Sequence, residues 1–96
     1  MATSKDYRDF VLEQLSPIEG ISGKPMMGEF LLYKDGLLFG GLYDNRFLVK
    51  KTPSLADYGL CSAIPYPGAK EMYEIDFENI EMTDEIINLV CKDLKK

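Results

Sequence analysis

The sequence contains no histidine and no tryptophan, only two arginines (Arg8 and Arg46) and only two cysteines (Cys61 and Cys91). Without histidine, Ser-His and Cys-His nucleophiles are excluded. The cysteines stand far apart, with no CxxC pair, so zinc-finger spacing is excluded as well. Neither cysteine has surroundings that mark it for redox chemistry: Cys61 has no cation within two positions, and adjacent helical residues such as Cys91 and Lys92 do not face each other. The apolar runs are only a few residues long, far short of a membrane span. No basic start leads into a long apolar segment, so no secretory signal is read and a cytoplasmic protein is expected. No cofactor is implied.

A modest single core is what 96 residues allow, so a single domain over 1–96 is expected. The net charge of −5 is unevenly placed: residues 1–51 are balanced, whereas 52–96 carry nine acidic against four basic side chains. Glu71, Glu74, Asp76, Glu78, Glu81, Asp84 and Glu85 form an acidic belt with no basic residue among them. Clustered Lys and Arg are what a phosphate backbone requires, so direct nucleic-acid binding is disfavoured. The belt reads as a solvated surface, or more sharply as a docking face for a basic partner.

The stretch from Met26 to Lys50 organises the rest. It reads as a three-strand antiparallel meander, Gly28–Tyr33, Leu37–Tyr43 and Arg46–Lys50. Asp35-Gly36 and Asp44-Asn45 serve as two-residue turns that tolerate positive φ. Alternation puts Phe30 and Leu32 on one face of the first strand and Glu29, Leu31 and Tyr33 on the other, and in the third strand it separates Phe47 and Val49 from Arg46, Leu48 and Lys50. Gly40-Gly41, inside the middle strand, marks a bulge or a close approach by another backbone rather than a phosphate cradle, because no helix N-terminus follows.

Around the meander, Thr3 or Ser4 caps a first helix to about Leu15 with a stripe of Tyr7, Phe10, Val11 and Leu15. Residues 16–25 form a connector in which Ile18–Ile21 adds at most a short extended piece. Met26 and Met27 lead into the first strand as adaptable core filling or as a partner surface. Thr52 and Pro53 start a short helix to Tyr58, which Gly59 stops. Ile64-Pro65-Tyr66-Pro67-Gly68 is an extended segment ending in a turn, a recognition element or simply the piece that closes the fold. Glu71–Phe77 reads as a last strand with Tyr73, Ile75 and Phe77 on one face. Thr83 caps a final helix to Leu94, with a stripe of Ile86, Ile87, Val90 and Leu94 and a staple between Met82 and Ile87. The expected order is helix, three strands, helix, one or two strands, helix: a two-layer α+β fold, an antiparallel sheet packed with helices.

Sixteen carboxylates allow many pairings, but no spacing singles out an acid–base pair, so a non-enzyme is expected. The ordered set Lys24-Pro25-Met26-Met27-Gly28-Glu29, Tyr33, Asp35-Gly36, Gly41-Leu42-Tyr43-Asp44-Asn45-Arg46, Leu48-Val49-Lys50 and Ile64–Met72 resembles the TfoX/Sxy N-terminal domain family, with Met27 where that family often has Phe. The resemblance spans roughly Tyr7 to Leu94 and implies a two-layer fold and no catalytic residues. Founding members look like regulators of natural competence that assist the cAMP receptor protein and carry a second, C-terminal domain; a standalone N-terminal-type member is expected here.

The expected function is thus a protein-interaction domain of regulatory type. Its candidate surface comprises Lys24, Met26, Met27, Tyr33, Arg46, Lys50, Tyr66, Glu74 and Glu78, and a homodimer through a sheet edge or apolar strand face is a further expectation. The alternative is a small-ligand-binding or minor enzymatic domain with its site between the Gly40-Gly41 strand and Tyr66.

Overall fold

The computed structural model describes residues 3–26, 28–75 and 80–95. Met27, Asp76, Phe77 and Glu78, to which the sequence reading gave roles, lie outside the described residues. The elements run α1 (Lys5–Gln14), β1 (Ile21–Met26), β2 (Glu29–Lys34), β3 (Leu37–Leu42), β4 (Phe47–Lys50), a 3-10 helix (Pro53–Tyr58), β5 (Cys61–Ala63), β6 (Met72–Glu74) and α2 (Ile80–Leu94). The six strands form one antiparallel sheet in the order β1-β2-β3-β4-β6-β5. The fold is α+β, as the sequence pattern predicts.

The two meander turns form because their residues accept left-handed angles. Asp35 and Gly36 have φ of 50° and 85°, and Asp44 and Asn45 have 52° and 58°, the values that let a two-residue turn follow the strand twist. The register slips between Leu32 and Tyr33, so Phe39 is the extra residue of a bulge just before Gly40. At Gly40 a Cβ would run into the Leu48 carbonyl and come within 2.9 Å of Val49 Cα; at Gly41 it would come within 2.8 Å of the Phe30 carbonyl and 3.0 Å of the Tyr43 ring. The predicted bulge and close approach by another backbone are therefore both present.

Strand alternation divides the apolar residues between two faces. Phe30, Leu32, Phe39, Leu42, Phe47 and Val49 join Val11 and Leu15 below α1, Leu55 of the 3-10 helix, and Ile86, Ile87, Val90 and Cys91 of α2 in one core. Leu31, Tyr43 and Leu48 form a smaller cluster on the opposite face, with Tyr33, Leu38, Ala63 and Met72 packed against it. Among the described residues, every helical side chain in these clusters belongs to the first. The sheet therefore has one helix-covered face and one open face.

Four expectations need correction. Residues 21–25 of the predicted connector, together with Met26, form β1, paired along its length with β2. The strand escaped notice because it is an edge strand: five of its six residues are exposed, so no apolar alternation marks it, and Pro25 is tolerated there. Phe10 is 49% exposed rather than part of the α1 stripe, where Leu12 packs instead. The short helix is a 3-10 helix, with Gly59 at φ 67° ending it as expected. Helix α2 begins at Ile80, which places Thr83 inside the helix and buried rather than at its cap, and leaves Met82 exposed.

Candidate functional site

The register gathers most of the candidate residues onto the open face. One cross-strand row passes through all six strands: Lys24, Leu31, Gly41, Leu48, Glu74 and Cys61. Directly opposed residues in an antiparallel sheet share a face. Met26 follows Lys24 by two positions on β1, Tyr33 pairs with Leu38, and Lys50 pairs with Met72, so these too belong to the open face. Met27 and Glu78 lie outside the described residues.

The connection between β5 and β6 folds over one end of this face. Pro65 is buried, while Tyr66 is 57% exposed, its ring 6.3 Å from that of Tyr43. Tyr43 in turn covers Gly41, where a side chain would leave it no room. Arg46 holds the loop in place: its guanidinium donates to the carbonyls of Tyr43 (3.3 Å) and Ile64 (3.1 Å). Arg46 is half-buried, and two of its donors tie the β3–β4 turn to the loop before Pro65.

Two depressions flank Tyr66. The larger, about 620 Å³, lies between the loop and the sheet and is lined among others by Tyr43, Lys50, Lys51, Lys70, Glu71 and Met72. The smaller, about 370 Å³, includes Glu29, Asp44, Arg46 and Ile64. Pro65 and Tyr66 line both. Lys70 and Lys51 went unnoticed in the sequence reading; the one available signal was the lysine flanking the Pro-Tyr-Pro segment. A third depression, about 350 Å³, lies between the start of α1 and the β1–β2 turn, with Arg8, Met26, Glu29 and Phe30 in its lining.

Burial pushes the Tyr43 hydroxyl above its ordinary range, helped by the neighbouring Tyr66, Glu29 and Tyr33. Tyr43 is therefore a neutral phenol at physiological pH. Among the described residues, no three Cys, Asp or Glu side chains come together as a metal-binding group. No helix in them is long and apolar enough to cross a membrane.

These features define a class: an α+β domain with one helix layer and an open, apolar-centred sheet face under a Pro-Tyr-Pro loop. The sequence is 38% identical over 78 residues to an uncharacterised 12.7 kDa protein in the trpE 5′ region of Spirochaeta aurantia, a match covering 79% of this chain and 68% of that protein. The chain belongs to the family of that spirochaete protein. No family model matches the sequence.

Proposed function

We propose that this is a non-enzymatic, cytoplasmic interaction domain that binds a partner protein over the open face of its sheet and acts through it as a regulator, as the TfoX/Sxy N-terminal likeness implies. The observation that carries this reading is the cluster around Leu48. Its centre, Leu31, Tyr43 and Leu48, is buried under its own neighbours on a face that no helix of the described residues covers, so what this face offers a partner is the half-buried Tyr33, Leu38, Ala63 and Met72 around that centre. Tyr66 adds a large exposed aromatic at its margin. An apolar centre with a tyrosine anchor and a charged rim is the composition of a recognition surface. A non-enzymatic role fits a sequence with no histidine and no carboxylate spacing that singles out an acid–base pair.

Affinity purification from native extract tests the reading, with wild-type protein and a Tyr66→Ala variant of equal thermal stability as baits. The wild type should retain a partner in near-stoichiometric amount that the variant largely loses. Retention of nothing by the folded wild type would overturn it. The second reading, a small ligand bound between the Gly40-Gly41 strand and Tyr66, is favoured by the larger depression, whose volume falls within the usual range for ligand sites. A melting-temperature increase with a metabolite, absent in Tyr66→Ala, would support it.

A further inference from the structure

The two depressions beside Tyr66 differ in charge, and the difference decides what fits them. In the larger, Lys51 is already engaged: its ammonium lies 3.6 Å from Glu71, donates to Ser62 Oγ at 3.2 Å and stands 5.2 Å from the Tyr73 ring. Lys50 and Lys70 form no ion pair or hydrogen bond among the described residues. The lining thus presents two unspent cations, in a chain whose net charge is −5. Across the Tyr66 ridge the sign reverses: the carboxylates of Glu29 and Asp44 outweigh the single charge of Arg46, which is held in place by the carbonyls of Tyr43 and Ile64, and Asp44 stands exposed and unpaired among the described residues.

We infer that the lysine-lined depression holds an extended acidic segment of a partner protein. The segment's carboxylates lie over Lys50 and Lys70, and the residues beyond them pass across Tyr66 towards Asp44. This rests on the interaction-domain reading above and adds to it the chemistry and direction of the partner. A nucleic acid fits worse, because its charge repeats along the strand and would be carried from the lysines onto Asp44 and Glu29. A peptide can confine its carboxylates to one end. The floor suits a peptide too, since Tyr43, Pro65 and Met72 offer apolar surface to the side chains between the charged ones. Lysine ammoniums are point charges that carboxylates satisfy without the fork geometry an arginine imposes.

The test is selection of a random dodecapeptide library, displayed on phage, against the full chain. Enriched peptides should carry at least two Asp or Glu towards one end. Their affinity should fall about tenfold or more in a Lys50→Glu, Lys70→Glu double variant and stay unchanged in Lys92→Glu, which alters an exposed lysine of α2. Peptides with those carboxylates replaced by lysine should bind the double variant better than the wild type. Thermal melts establish that each variant is folded. No enrichment, a motif without carboxylates, or equal binding by the double variant would overturn the inference. In the affinity purification, a partner lost by Tyr66→Ala but held undiminished by the double variant would overturn this inference and leave the interaction-domain reading standing. A folded wild type that retains no partner would instead remove that reading.

Discussion

Cys61 sits exposed on the edge strand β5, whereas Cys91 is buried in the core beneath α2. Burial pushes the Cys91 thiol up, only partly opposed by the charges of Lys34 and Lys95. The thiolate is the reactive form, so a raised pKa and an enclosed site act in the same direction. Ellman's reagent at about pH 8, below the ordinary thiol pKa of about 8.5, should titrate one thiol quickly in the native protein and the second only after denaturant is added. Two fast thiols in the native state would contradict the burial of Cys91. Thr52 offers a second residue-scale test. Its hydroxyl is buried with no hydrogen-bond partner among the described residues, although the residue stands at the N-cap position its sequence suggests. Thr52→Val keeps the shape and removes an unsatisfied polar atom, so stability should hold or rise by up to about 1 kcal/mol. A urea midpoint moving upward with unchanged slope is the expected readout, and a loss of about 1 kcal/mol would show that the hydroxyl is engaged.

The cap that Thr52 does not supply comes from α2. Asp93 accepts from the backbone N–H of Ser54 at 3.0 Å and from its hydroxyl at 2.8 Å, which fixes the start of the 3-10 helix against α2. Tyr58 adds a bond at the other end, its hydroxyl donating to Glu85 at 2.6 Å. Asp93→Ala removes both Ser54 bonds and should cost about 1–2 kcal/mol, whereas Ser54→Ala keeps the backbone donor and should cost less. Denaturant unfolding of the two variants tests that order, and a larger loss in Ser54→Ala would invert the assignment. The pair also shows why some elements were legible in the sequence and others were not. Ser4, whose hydroxyl accepts from the Tyr7 N–H at 3.2 Å, is a local cap and readable from spacing alone. The Asp93 cap joins positions distant in sequence, and nothing local announces it. Helix α2 illustrates the same limit. Thr83 has the residue type of a cap, but tertiary packing buries it inside a helix that starts earlier. Strand β1 has no apolar alternation to read: only Ile21 packs against the core, and the other five residues of this edge strand are exposed.

On the scale of the whole molecule, one sheet serves two unequal layers. The alternation of Phe30 and Leu32 against Leu31, and of Phe47 and Val49 against Leu48, was legible because strand period alone assigns alternate residues of a strand to opposite faces, whereas the register decides which residues of the two strands share a face. Which face the helices cover was not legible, because both carry apolar residues. Nor was the convergence of Lys50, Lys70 and Tyr66, which depends on a loop folding back over the sheet. The division has an energetic consequence. Leu32 is fully buried among residues from the sheet and both helices, and Leu32→Ala leaves a cavity that those rigid neighbours cannot close. Such truncations cost about 2–5 kcal/mol, a large part of the stability of a small domain. Leu38 is half-buried at the margin of the second cluster, so water and neighbouring side chains fill the space that Leu38→Ala vacates. Its cost should stay near or below about 1 kcal/mol. If the helix layer carries stability and the open face carries recognition, the two variants should separate the properties. Leu32→Ala should lower the urea midpoint strongly, and its folded fraction should retain partner binding. Leu38→Ala should leave the midpoint almost unchanged and weaken that binding. Equal destabilisation by the two substitutions would mean that the second cluster is as much a core as the first, and the open face would lose its claim to be a recognition surface.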